Sequence, residues 1–143
     1  MPGPRRRSRE AALQVLYAAD AVGDLGPDEV GRVFEQVAAE FSLPRAARDR
    51  AAELCEGVAR NLERIDGAIS RASAHWKVPR LASVDRNVLR VAAYELMCGT
   101  DTPPEVAIDE AVEIARRYAG ERSPAFVNGV LDELWRSHRG EAP

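Results

Sequence analysis

Three features of the 143-residue sequence predict an all-α fold, a bundle of six or seven helices. Apolar residues recur at spacings of three and four through most of the chain, and no run alternates with period two. Glycine and proline punctuate these stretches and leave only short connections between them. Hydrophobic residues make up 45% and charged residues 30%, the balance of a globular protein, in a length that fits one domain.

The first helix is expected from about Pro4 to Val22, with Ala12, Leu13, Leu16 and Tyr17 on one face and Gly23 as its stop. A second begins near Pro27, with Asp28 and Glu29 favourable to the N-terminal dipole and a stripe of Val30, Val33, Phe34, Val37 and Phe41. Ser42 is the expected cap of a third, with Pro44 in its first turn. Its stripe runs Ala47, Ala51, Leu54, Cys55, Val58, Leu62, Ile65 and Ile69, and Gly57 or Gly67 is where it can bend. A break containing Pro79 spans His75 to Ser83. Ser83 should cap a fourth helix facing inward through Val84, Val88, Leu89, Ala92 and Leu96, ended by Cys98 and Gly99. Thr102, Pro103, Pro104 and Glu105 read as a capping box for a helix reaching Ala119 and closed by Gly120. Ser123 and Pro124 open the last helix, whose Phe126, Val127, Val130, Leu131 and Leu134 face inward. Gly129 in its middle costs about 1 kcal/mol relative to alanine, which suggests a close approach by another helix or a ligand.

Several function classes find no support. No apolar run has transmembrane length, and the N-terminus lacks the apolar stretch of a secretory signal. Cys55 and Cys98 are too few and too far apart for a disulfide scaffold or zinc cluster, and they fit a reducing cytoplasm. Cys55 lies in an apolar stripe, where a buried inert thiol is expected. His75 and His138 leave little material for a histidine-based metal or nucleophile site. No phosphate loop, dinucleotide fingerprint, nucleophile elbow or HExxH occurs, so neither a catalytic residue nor a cofactor is expected. Adjacent carboxylates such as Asp109 and Glu110 point apart on a helix and read as solvated charge.

Charge placement is more informative. The net charge is −3, but the first ten residues hold Arg5, Arg6, Arg7 and Arg9 against Glu10 alone. A basic tip on an acidic body suggests a polyanionic partner. A helix N-terminus already carries partial positive charge, so arginines there oppose the dipole and one another. A docked anion would turn both features favourable, and arginine's planar fork suits phosphate. A disordered, solubilising tail is the plainer alternative. On a helical wheel Arg5 and Arg9 continue the stripe of Ala12, Leu13 and Leu16, Arg6 stands above Tyr17, and Arg7 and Gln14 project to a more exposed side. Tyr17 and Phe126 are candidate stacking platforms for unpaired bases, with core packing as the alternative. Trp76 and Trp135 read as partly buried packing residues and His75 as a loop residue. The fourth helix carries Asp85, Arg86, Arg90 and Glu95, by default a solvated face and otherwise a protein-docking one.

The segments RRRSREAALQVLY (5–17), VDRNVLRVAAYEL (84–96), PPEVAIDEAVEIARRY (103–118) and SPAFVNGVLDEL (123–134) resemble the NusB family, in the family's order along nearly the whole chain. The FVNGVLD and VDRNVLR blocks are the specific ones. The resemblance implies two packed helical subdomains, about 4–72 and about 80–137, and a cytoplasmic transcription antitermination factor with no catalytic residue, metal or cofactor. It implies binding to the single-stranded boxA element of ribosomal RNA operons, together with NusE, a small-subunit ribosomal protein, within an antitermination complex on RNA polymerase. By similarity Arg5, Arg6, Arg7 and Arg9 contact phosphates, Gln14 and Tyr17 lie near that surface, and Phe126 and Asn128 lie on the RNA side. Asp85 and its neighbour Arg86 face NusE. Three or four neutralised phosphates would give a log–log salt slope of about −2 to −3. The loop before the FVNG block, GERSPAF, departs from the family, with Arg122 and Pro124 where many relatives are acidic or otherwise polar. Two alternatives remain open. One is an RNA-binding module like that of ribosomal RNA cytosine methyltransferases, whose methyl-donor domain is not expected in a chain ending at Pro143. The other is a protein-only adaptor, since some family members form homodimers that cover the RNA surface.

Overall fold

The computed structural model describes residues 3–73, 77–99 and 101–141. Among these residues there are seven α-helices and no strand. The helices are α1 (Pro4–Val22), α2 (Pro27–Phe41), α3 (Arg45–Arg60), α4 (Leu62–Ala72), α5 (Ser83–Met97), α6 (Pro104–Tyr118) and α7 (Ser123–Glu141), with a 3-10 turn at Val78–Arg80 before α5. Two compact units divide the chain, residues 1–62 and 63–143. The expected boundary lay near residue 72, so α4 falls almost wholly in the second unit.

In the first unit α1 packs on α2 and α3, and α2 packs on α3. The seam is made by the stripes the sequence displays. Ala12, Val15, Leu16 and Ala19 of α1 meet Val30, Val33 and Phe34 of α2 and Ala51, Leu54, Cys55 and Val58 of α3, all buried. A buried leucine or valine contributes about 1.5–3 kcal/mol over an exposed one, so these stripes rather than helix propensity hold the unit together. Gly23 closes α1 with φ 88° and donates its N–H to Ala19 O and Asp20 O at 3.1 and 3.0 Å. That left-handed turn is open to glycine and strained for other residues.

In the second unit α6 packs on α5 and α7, and α5 packs on α7. Its core is Leu89, Ala92, Ala93 and Leu96 of α5, Ala107, Ala111, Ile114 and Ala115 of α6, and Val127, Val130, Leu131 and Leu134 of α7. Ile65, Ala68 and Ile69 bury the inner face of α4.

Several local expectations are corrected. The long third helix is two helices, broken at Asn61 and not bent at Gly57 or Gly67. Asn61 leaves helical geometry at φ −117° and ψ 19°, and its side-chain amide donates to Gly57 O at 2.8 Å. A short amide side chain competing for a backbone carbonyl is a helix stop that apolar periodicity does not register. Ser42 does not cap α3; it ends α2 in the left-handed region at φ 47°, and Pro44 holds the cap position of α3. Ser83 is the first residue of α5 and Ala82 its cap position. The α6 cap position is Pro103, which has no hydroxyl, so Thr102 stands one residue too early for a capping box. Gly129 is exposed, and an added Cβ would meet nothing within 4 Å, so no neighbouring helix requires a glycine there. Trp135 is half-buried as expected, 5.8 Å from the His138 ring. His75 and Trp76 lie outside the described residues.

Candidate nucleic-acid interface

The first turn of α1 carries Arg5, Arg6 and Arg7 and no acidic residue, behind a Gly3 cap that offers no side-chain acceptor. The four expected phosphate ligands do not share one environment. Arg5 is exposed and Arg6 half-buried. Arg7 is half-buried, and its Nη2 donates to Phe41 O at 2.7 Å. Phe41 is the last residue of α2, so this guanidinium satisfies an orphan carbonyl at the negative end of that helix. Arg9 is only 3% exposed and has partners within the protein. It corrects the expectation, because a buried guanidinium presents no surface to a phosphate. Arg9 continues the apolar stripe of Ala12, Leu13 and Leu16, and that stripe is already buried at Arg9 rather than opening outward into a groove. Ser8 is also fully buried; its hydroxyl lies 2.9 Å from both Pro4 O and Ala47 O and donates to one of them, anchoring the start of α1 on α3.

Further along α1, Gln14 is exposed and Tyr17 is 46% exposed. Arg6 and Tyr17, like Arg7 and Gln14, lie within about 20° of each other around a helix axis of 100° per residue. A ridge of α1 therefore presents guanidinium, amide and phenol groups in succession. Tyr17 takes the surface reading rather than core packing, since Leu13 and Leu16 fill the seam beside it.

In the second unit Phe126 and Asn128 do not share a surface. Two positions apart on a helix is about 200°, so they point to different sides of α7. Phe126, half-buried, lines a cleft of about 280 Å³ with Arg80, Leu81, Ala82, Asp85, Arg122 and Ser123. Asn128, exposed, lines a broader one between the end of α6 and the start of α7, with Arg116, Gly120 and Pro124. Asp85 and Phe126, assigned from sequence to different partners, thus stand in one cleft. Asp85 Oδ1 is buried there without a hydrogen-bond partner. Arg80 and Arg122 are exposed on the same cleft. Arg80 escaped sequence reasoning because it sits in an irregular break; Arg122 was visible only as a departure from the family.

Arg86 is occupied. Its Nη1 donates to Leu81 O at 2.9 Å and its Nη2 to Ser83 Oγ at 3.1 Å, so it clamps the start of α5. Arg90 and Glu95, read as part of a solvated face, are buried. Arg90 forks onto Asp66 of α4, with Nε to Oδ1 and Nη2 to Oδ2 both at 2.9 Å. Cys55 is buried, and desolvation pushes its thiol up to about 12, which leaves it neutral. Cys98 is half-buried, with its thiol also raised by burial and opposed by the nearby Arg64. No helix among the described residues is long and apolar enough to cross a membrane.

Fold and surface together define an all-α protein of two helical units that presents arginine beside accessible aromatic rings. The chain belongs to the NusB family, whose model matches residues 6–136. It is 45% identical over 132 residues to the transcription antitermination protein NusB of Desulfotalea psychrophila, covering 91% of this chain and 94% of that protein. It is 46% identical over 132 residues to the protein of the same name from Sorangium cellulosum, covering 92% and 91%. Among solved structures it is similar to T. maritima NusB, with a TM-score of 0.84, 41% identity and coverage of 96% and 94%. A crystal structure of the antitermination factors NusB and NusE in complex with double-stranded RNA matches with a TM-score of 0.85, 30% identity and coverage of 96% and 99%.

Proposed function

We propose that this protein is a non-enzymatic, cytoplasmic RNA-binding factor of transcription antitermination. It binds single-stranded boxA RNA of ribosomal RNA operons together with NusE and helps assemble the antitermination complex on RNA polymerase. The observation that carries this reading is the near-complete match, in sequence and in fold, to antitermination proteins, one of them seen with NusE and RNA. The chain's own surface supports it. Arg5 and Arg6 stand at the positive end of α1, where a phosphate offsets both the dipole and their mutual repulsion. Gln14 offers polar edges and Tyr17 a ring face to unpaired bases.

Phe126 is the proposed stacking residue of the second unit, and Asn128 a separate polar contact on the other side of α7. Asp85 is the proposed NusE-facing residue, with Arg86 acting behind it by fixing the turn that bears it. Because Asp85 and Phe126 line one cleft, protein and RNA would settle at adjacent positions. Each would then strengthen the other's binding by the same factor.

The test is a fluorescence-anisotropy titration of a labelled boxA oligonucleotide, with and without NusE, at two salt concentrations. Salt-dependent binding that NusE tightens is expected. Equal affinity for boxA and a scrambled sequence, in the presence of NusE, would overturn the reading.

A further inference from the structure

We propose that the buried side-chain series Asp66, Arg90, Asn87 is a positioning device that sets the wall of the Arg80–Asp85–Phe126 cleft and, through it, RNA affinity. The inference rests on the RNA-binding reading above.

Arg90 uses its whole fork. Nε and Nη2 take both oxygens of Asp66, and Nη1 donates to Asn87 Oδ1, all at 2.9 Å. Asn87 Nδ2 in turn donates to Ser83 O at 2.9 Å. The amide orientation follows from the network, since a flipped Asn87 would set its NH₂ against the guanidinium. Asn87 and Arg90 are buried, and Asp66 is the quarter-exposed end of the series.

Holding α4 on α5 does not by itself call for ions. Burying an arginine is expensive, and apolar residues of similar volume usually join two helices as well or better. Where the series ends is more telling. It ends on the first residue of α5, a helix whose cap position is Ala82 and has no side-chain cap. Arg86, from the same turn, takes Leu81 O and Ser83 Oγ. Residues 81–83 are thus placed by Arg86 and Asn87 reaching back from α5, Asn87 being tied to α4 through Arg90 and Asp66, and not by a side-chain cap. Leu81 and Ala82, with their neighbours Arg80 and Asp85, form one wall of the cleft. The opposite wall is Ser123 and Phe126 of α7, with Arg122 just before that helix, and α7 packs on both α6 and α5. Because α5 and α7 already pack on each other, what the series sets is where the segment entering α5 stands against that opposite wall.

The experiment compares wild type with Asn87→Leu, which cuts the series at near-constant volume, and Asp66→Asn, which perturbs its accessible end. Arg80→Ala is the contact control. Each is assayed for boxA binding with NusE at two salt concentrations, at a temperature where circular dichroism shows it folded, and for amide hydrogen exchange at residues 81–86. The two series variants should bind about fivefold more weakly with an unchanged salt slope and faster exchange at 81–86, since such couplings are worth about 1 kcal/mol. Arg80→Ala should flatten the slope. Folded variants that bind as tightly as wild type overturn the inference, as does a weakening accompanied by unchanged exchange. If Asn87→Leu does not fold, Asp66→Asn decides alone. Failure of wild type to bind boxA with NusE would instead sink the RNA-binding reading.

Discussion

Replacing Arg5 and Arg6 together by alanine should flatten the salt dependence of RNA binding, whereas Arg9→Ala should lower stability and leave the slope alone. The structure sets the magnitudes. Of the four arginines in the first ten residues, only Arg5, Arg6 and Arg7 have accessible surface; Arg9 is buried. For single-stranded nucleic acid each neutralised phosphate contributes about −0.7 to the log–log slope, so the three arginines of α1 contribute about −2, apart from any contact at Arg80. Between about 50 and about 200 mM salt that slope weakens binding by about 20-fold, and the double variant, with a contribution of about −0.7 left, by only about 2.5-fold. Neither exposed Arg5 nor half-buried Arg6 fills the core, so the thermal midpoint should stay within a degree or two, of the order expected for surface changes. Arg9→Ala removes a buried, partnered guanidinium and should cost about 3 kcal/mol. Anisotropy titrations at four salt concentrations, with urea melts of each variant, separate the two outcomes. An unchanged slope in the double variant, or a slope change in Arg9→Ala without loss of stability, would refute the reasoning.

Other substitutions test the remaining structure. Ser8→Ala strands the buried carbonyl its hydroxyl serves and should cost about 1–2 kcal/mol, read from a denaturant midpoint at constant m. Gly129→Ala should stabilise α7 by about 0.5–1 kcal/mol, since its added methyl meets nothing; a loss would show that the exposed surface there is occupied in the free protein. Cys55 binds its proton more tightly folded, at about 12, than unfolded, near 9.0, so its contribution is fully present below pH 9 and declines above it. Stability should fall by about 1.4 kcal/mol between neutral pH and pH 10 from this group, and Cys55→Ala should show a shallower decline. Gly23→Ala places a side chain at φ 88° and should cost about 1 kcal/mol in thermal melts.

Much of the helical order was legible because apolar periodicity and punctuation are local. Pro4 is written where α1 begins, Gly23 where it ends and Pro27 where α2 begins, and the stripe of Val30, Val33 and Phe34 names the buried face of α2. Caps were legible only as candidates. Ser42, Ser83 and Thr102 are plausible capping residues whose φ, ψ angles or positions in the chain turned out otherwise, by a single residue at Ser83 and Thr102. The break at Asn61 is marked by a side-chain bond to Gly57 O beside the backbone ones, which leaves no trace in hydrophobic spacing.

At the candidate interface the residue types were readable and their roles were not. An arginine on a helix surface and an arginine at the end of a buried stripe are the same letter. Whether Arg5 meets water, Arg7 meets the end of α2, or Arg9 enters the core depends on which helices lie alongside. Likewise the letters of Asp85, Phe126 and Asn128 do not say that the first two share a cleft and the third faces elsewhere. Periodicity within one helix decided which residues bury themselves, because burial follows a repeat of 3.6 residues along a single axis. Which polar side chains are spent inside the protein and which remain for a ligand was settled only by packing, because that choice depends on partners distant in sequence, as Arg90 on Asp66 shows.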